Sequence, residues 1–308
     1  MEWVAPETGP PPPTAARPPT GPAPAPRPGR DRPLGVPRLA PMTASDVLDG
    51  AFDVLKGAPG TILAFTAVFA VPVQLLGAWL QRDLLGGDSL LDIINETDTS
   101  LDAVESTSPA GDLWAQMVLL FGPSLALVFI AAGLVRLVGA WQTGGDLALG
   151  ELVRGSLRLA WPLLASWFLV HLAEGVGMLL CGFPALAAMT WFLVVAPVVG
   201  AEGLGPIEAM RRSARLTSRR FWPVMGLAIL SGLVSTLFGY ALGLVPTTLS
   251  LLVGTDGLGW LVVAAAGIIT SLVTMPIVAA ATVLIYLDLR VRTEGLDLEL
   301  DAREVLPA

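Results

Sequence analysis

His171 and Glu174 come closest to chemistry in this 308-residue sequence: a base and an acid three positions apart inside an apolar stretch. At that spacing they share one helical face. If the stretch crosses a bilayer, an ionisable group there costs on the order of 2.5–3.5 kcal/mol on insertion scales, which makes the pair a candidate proton or cation relay. The same two residues also suit a neutral pair hydrogen-bonded inside a helix bundle. No second row of intramembrane charges completes a pathway. With one His and one Cys (Cys181), a multi-ligand His/Cys metal site is excluded. There is no H-E-x-x-H, no P-loop and no G-x-S-x-G elbow. Neither an enzyme nor a cofactor is expected.

What must position such a pair follows from composition. The chain is 54% hydrophobic and 14% charged, with mean hydropathy +0.69, so the bilayer is its solvent. Its net charge of -8 argues against a nucleic-acid partner. Apolar runs at about 60–80, 113–137, 162–181, 184–201, 222–246 and 260–287 are each long enough to span about 30 Å of hydrocarbon. The last must tilt or extend beyond the membrane. Pro72, Pro123, Pro197 and Pro276 fall within spans and predict kinks.

Seventeen of the 18 basic residues are Arg, which together with the abundance of Gly and Pro suggests a GC-rich bacterial genome. All but Arg82 lie before the first span, after the last, or between spans two and three or four and five. That bias places both termini in the cytoplasm of a bacterial inner-membrane protein. Trp79, Trp114 and Trp260 then mark the outer interface, and Trp141, Trp161 and Trp222 the inner one.

Residues 1–41 hold 14 of the 26 prolines and read as a disordered cytoplasmic tail, with Pro10 and Pro13 spaced as in ligands of aromatic grooves. The first 30 residues lack the apolar core of a signal peptide. The membrane domain is 42–293, and 294–308 is a C-terminal cytoplasmic tail. The 81–112 loop carries Asp83, Asp88, Asp92, Glu96, Asp98, Asp102, Glu105 and Asp112 without calcium-loop spacing, so it reads as solvated charge.

Three segments superpose without gaps: Asp46 to Val54, Glu151 to Leu159 and Glu208 to Leu216. Each opens on an acid and carries charges at its fourth and eighth positions. Apolar residues at the third, seventh and ninth, beside a small sixth residue, predict an amphipathic helix before each odd-numbered span. Duplication of a helix-plus-hairpin unit and three independent solutions to one interface problem both explain the pattern. Around the third copy, Arg211, Arg212, Arg215, Arg219 and Arg220 are candidate contacts to anionic lipid, or simply topology anchors. In span five, Ser231, Ser235, Gly239 and Gly243 form an i,i+4 ladder of small residues that invites close helix approach.

Leu48 to Phe52, Gly205 to Ser213, Arg219 to Trp222 and especially Tyr286 to Leu298 resemble actinobacterial integral-membrane proteins similar to the membrane domain of glycerophosphoryl diester phosphodiesterases. The resemblance covers about residues 40 to 300 and implies a six-helix membrane domain. The family's enzymes add a soluble barrel rich in His and acids, which this sequence has neither the length nor the histidines to form.

The expectation is therefore an all-α polytopic protein with six transmembrane helices and short amphipathic cytoplasmic helices before spans 1, 3 and 5. Its partners are the lipid bilayer and, through the cytoplasmic helices or the Pro-rich tail, other membrane proteins. The role expected is a non-catalytic envelope assembly component, with a small transporter or channel using His171 and Glu174 as the alternative.

Overall fold

The structure, a computed structural model, describes residues 37, 40–81, 109–253 and 259–296. The Pro10/Pro13 segment, the acidic loop from Asp83 to Glu105 and the last tail residues lie outside that set. The described residues form ten α-helices and no strand: α1 (Ala44–Gly57), α2 (Pro59–Gln81), α3 (Pro109–Gln142), α4 (Leu149–Arg158), α5 (Ala160–Leu179), α6 (Phe183–Trp191), α7 (Val195–Glu202), α8 (Pro206–Ser218), α9 (Phe221–Val253) and α10 (Gly259–Glu294).

Six helical stretches are long and apolar enough to cross a membrane: Pro59–Leu80, Leu113–Gln142, Ala160–Leu179, Phe183–Glu202, Phe221–Leu244 and Gly259–Glu294. The chain is an all-α, multi-pass membrane protein. At 1.5 Å per residue, the 36 residues of α10 extend about 54 Å, well beyond the hydrocarbon thickness. Its surplus lies at the arginine-rich end. There, from Met275 to Val291, the helix is buried on nearly every side, and α1, α2, α3 and α9 pack around it. A helix apolar all round is suited to such a central position.

The three amphipathic helices form where the repeat predicts them. At the start of α1, Thr43 and Asp46 cap each other's backbone: Asp46 N–H donates to Thr43 Oγ1 (3.3 Å) and Thr43 N–H to Asp46 Oδ2 (2.8 Å). In α4, Glu151 accepts from Ala148 N–H (3.2 Å). In α8, Pro206 occupies the first turn, where its missing N–H costs nothing.

The face they bury keeps the sixth and, in two copies, the ninth position of the one expected, but takes the second in place of the third and seventh. Positions two (Val47, Leu152, Ala209) and six (Ala51, Ser156, Ser213) are buried in all three copies, joined by Val54 and Leu216 at position nine. The third and seventh positions are only partly covered, and Leu157 is exposed. The reason is the solvent. At a membrane interface, large apolar side chains at the third and seventh positions are stable against lipid, and the small sixth residue lets the packed face approach its neighbours closely. Charges at positions one, four and eight are exposed in every copy.

Of the four prolines expected to kink their spans, Pro197 breaks its helix, whereas α2, α3 and α10 continue through Pro72, Pro123 and Pro276. Pro197 has no N–H to offer Leu193, and its ring crowds that carbonyl. Residues 192–194 therefore turn tightly, and Val195 N–H bonds Phe192 O (3.1 Å) instead of Trp191 O. The freed Trp191 carbonyl accepts from Ser213 Oγ (2.7 Å) and Thr217 Oγ1 (3.2 Å), both fully buried on α8. Hydroxyls that satisfy interrupted backbone inside a membrane domain are what a lipid solvent requires. They also fix α8 to the fourth span.

Candidate functional site

His171 sits on α5 among side chains of α3. Its Nδ1 lies 2.9 Å from the Trp167 carbonyl oxygen, an acceptor only, so Nδ1 carries a hydrogen. Nε2 lies 3.2 Å from Ser124 Oγ, which accepts from Trp167 Nε1–H (3.0 Å) and is also 2.8 Å from the Phe121 carbonyl. The Ser124 hydroxyl can donate to a neutral Nε2, or turn to Phe121 O and accept from a protonated one. Phe121 meets the imidazole edge-on at 5.2 Å. The expected hydrogen bond between His171 and Glu174 is absent: Nε2 and Oε2 are 4.0 Å apart, a distance for charge attraction only. Ser124 and Trp167, not Glu174, satisfy the ring. Both members of the pair are half-buried, 23% and 29% exposed at the side chain.

The small-residue ladder of α9 faces α10 without a tight seat. A methyl built at Gly239 would find Thr270 Cγ2 at 3.8 Å, ordinary contact, and one at Gly243 would find nothing within 4 Å. Ser231 is buried with its hydroxyl unpartnered, and Ser235 is half-buried. Instead of closing on a neighbour, Gly239 and Gly243 border a cleft of about 390 Å³ between α2, α3, α9 and α10. The tight approach belongs to α10's own Gly267, whose missing side chain makes room for the Gln74 amide, which donates to Ser271 Oγ at 2.5 Å. Gln74 carries no charge, so a search for intramembrane ions passes over it.

At the arginine-rich end, Arg212 departs from the lipid contact expected of it. Its Nε donates to both oxygens of Glu202 at the end of α7 (3.1 and 3.0 Å). Nη1 and Nη2 bind Glu294 at the end of α10, the latter at 2.8 Å. Glu202 also accepts from the Tyr286 hydroxyl (2.9 Å), and Glu294 from Arg290 Nε (3.0 Å). The Arg212 side chain is 18% exposed, and hydrogen bonding to Glu294, then to Glu202, raises its pKa further above the ordinary guanidinium range. It is a permanent positive clamp joining three elements. Arg211, Arg215 and Arg219 are exposed, and Arg220 is half-buried beside α10.

A second lock holds the chain entering α1. Asp288 of α10 accepts from Met42 N–H (2.7 Å) and from Arg292 Nε (2.8 and 2.9 Å), while Arg292 Nη2 donates to the Met42 carbonyl (2.8 Å). Just before it, the Pro37 carbonyl accepts from Gln142 Nε2 of α3 (3.1 Å). Both locks use the segment from Tyr286 to Glu294, which on sequence carries the strongest family resemblance but shows no partners for its charges. Asp288 and Arg292 face the chain entering α1, whereas Tyr286 and Glu294 face α7 and α8, and that assignment requires the packing.

Among the described residues, no group of three or more His, Cys, Asp or Glu side chains is arranged to hold a metal. Comparison with protein-family models, with curated proteins and with solved structures finds no match.

Proposed function

We propose that this chain is a non-catalytic component of a bacterial cytoplasmic-membrane assembly, presenting its arginine-rich end to partners on the cytoplasmic side. One observation carries the reading: three amphipathic helices bury equivalent positions and turn equivalent charged positions outward, on a bundle fastened by ion pairs at that same end. The charges presented are distinct, acidic on α1 (Asp46, Asp49, Asp53) and largely basic on α8 (Arg211, Arg215) and α4 (Arg154, Arg158). Such a surface selects partners by electrostatic complementarity.

The test is purification of the full chain in mild detergent with quantitative mass spectrometry, in parallel with an Arg211→Glu/Arg215→Glu variant. Membrane proteins enriched with the wild type and lost from the variant are expected. Equal recovery from both would contradict the reading. Cys181 gives the orientation check. It is exposed at the hairpin joining α5 and α6, opposite the arginine-rich end. In intact spheroplasts, a membrane-impermeant maleimide is expected to label it; labelling only after permeabilisation would invert the topology.

The arrangement around His171 favours a closed bundle over a proton route. Both ring nitrogens have partners inside the protein, and Phe121 and Trp167 cover the imidazole. A relay needs at least one of these positions to exchange with water.

A further inference from the structure

Arg220 is the arginine around α8 whose surroundings are built as a site. It opens α9's approach and lines a pocket of about 420 Å³ enclosed by the start of α1, the first turns of α9 and the last turns of α10. That volume falls within the range of about 300–1,000 Å³ typical of small-molecule sites. The polar lining is Thr43, whose hydroxyl donates to Asp46, with Arg220, Arg292 and Asp288. Asp288 is 7% exposed, and both its oxygens already accept hydrogen bonds from Met42 N–H or Arg292 Nε. Arg292 Nη1 has no hydrogen-bond partner among the described residues, and Arg220 has none for its whole guanidinium. Two guanidiniums against one satisfied carboxylate leave the pocket with a surplus of one positive charge and several unused donors.

The rest of the lining is largely apolar: Pro223 and Leu227 of α9 at its surface, with Val224, Ile285 and Leu289 buried behind them. Gly226 is part of this lining, and a methyl there would meet nothing within 4 Å. Trp222, 66% exposed beside the pocket, is the residue type that settles at headgroup level. Further along α9, Ile229 and Leu233 are exposed on the lipid-facing surface. A soluble anion would use the donors and leave Pro223, Leu227, Ile229 and Leu233 uncovered. A phospholipid uses both.

We infer that this pocket binds one anionic phospholipid of the leaflet at the arginine-rich end, its phosphate held by Arg220 and Arg292 and its acyl chains along α9. Basic pockets between membrane helices recognise such headgroups by the chemistry present here: a planar guanidinium with paired donors matched to phosphate oxygens, in a setting where lipid supplies the rest of the contact. The inference requires only the membrane fold, not the partner-binding role proposed above.

The test uses the full chain, purified in detergent and examined by native mass spectrometry after addition of phosphatidylglycerol, phosphatidylcholine or inorganic phosphate at matched concentration. Phosphatidylglycerol is expected to be retained, and the other two not. Loss of charge-assisted hydrogen bonds in Arg220→Gln should weaken retention about tenfold or more. Gly226→Leu, which fills the apolar lining and changes no charge, should weaken it comparably, whereas Arg219→Gln, outside the pocket, should have little effect. Since Arg220 supports no other described residue by hydrogen bond or ion pair, its variant should stay monodisperse. Equal losses in Arg219→Gln and Arg220→Gln would reduce the effect to surface charge and overturn the site. So would equal retention of phosphatidylcholine, or occupancy by inorganic phosphate, or unchanged binding in Gly226→Leu.

Discussion

A Gly200→Leu variant is expected to lose its folded population in detergent at temperatures where the wild type is intact. Gly200 is on α7 where it crosses α3. A methyl built there would overlap the carbonyl oxygen of Ala132 and lie 2.8 Å from both the Ala132 Cα and Val135 Cγ1. Backbone cannot rotate aside as a side chain can, so the helices must separate. Overpacking costs typically 1–3 kcal/mol where side chains can yield, and this contact should reach about 3 kcal/mol or more. Helix separation would also displace Glu202, two residues on, from Arg212 and Tyr286. Gly232→Ala is the control. Nothing lies within 4 Å of a methyl at that position of α9, and alanine is the better helix former by about 1 kcal/mol. The apparent unfolding midpoint, followed by monodispersity on heating, should fall sharply for Gly200→Leu and hold or rise for Gly232→Ala. An unchanged midpoint for Gly200→Leu would mean that α3 and α7 do not cross this closely.

Arg212→Ala should be the most damaging single arginine deletion among the described residues. It leaves Glu202 with the Tyr286 hydroxyl as its remaining partner and Glu294 with Arg290. Two carboxylates previously held by one guanidinium are then partly buried with one cation between them. Side-chain exposures of 18% for Arg212, 21% for Glu202 and 30% for Glu294 place the cluster toward the buried regime. Removing one partner of such a pair costs about 3 kcal/mol, most of it the penalty of the charge left behind. Arg212→Lys should recover only part of this, because a single ammonium cannot present paired donors to two carboxylates. The double variant Arg212→Ala/Glu202→Gln should be less impaired than the sum of its single changes, since Glu202→Gln removes the orphaned charge. Strict additivity would show that the network is geometry without energetic coupling.

The spans were legible because a bilayer demands about twenty apolar residues from each, and the arginine bias was legible because it needs no packing. The amphipathic helices were legible too, through the acid that opens each and the spacing of their charges and apolar residues. Which of their faces is buried was legible only in part. Leu48, Phe52 and Leu157 look like core in a soluble protein, but beside lipid they need no cover, and Ala51, Ser156 and Ser213 take the packed face. Arg212 left one signal in the repeat: it occupies the fifth position, where the other copies have Gly50 and Gly155. In those copies the glycine admits Leu284 or the Arg136 guanidinium against the helix; in the third, the helix itself reaches outward. The docking of Ser213 and Thr217 was not readable, because their acceptor, Trp191 O, becomes free only when Pro197 breaks the span. The ladder from Ser231 to Gly243 has the right spacing for close packing, but spacing does not say whether a partner backbone is present.

Proton flux measures the central claim most directly, that the polar groups inside the bundle hold it together and its role lies in what its charged end binds. Purified full-length chain in liposomes, under an imposed pH gradient and a potassium diffusion potential, is expected to pass protons no faster than empty liposomes. Glu174→Gln should be indistinguishable from the wild type and equally stable. A flux carried by the wild type and abolished in Glu174→Gln, with folding intact, would contradict the account and make His171 and Glu174 part of a transport path.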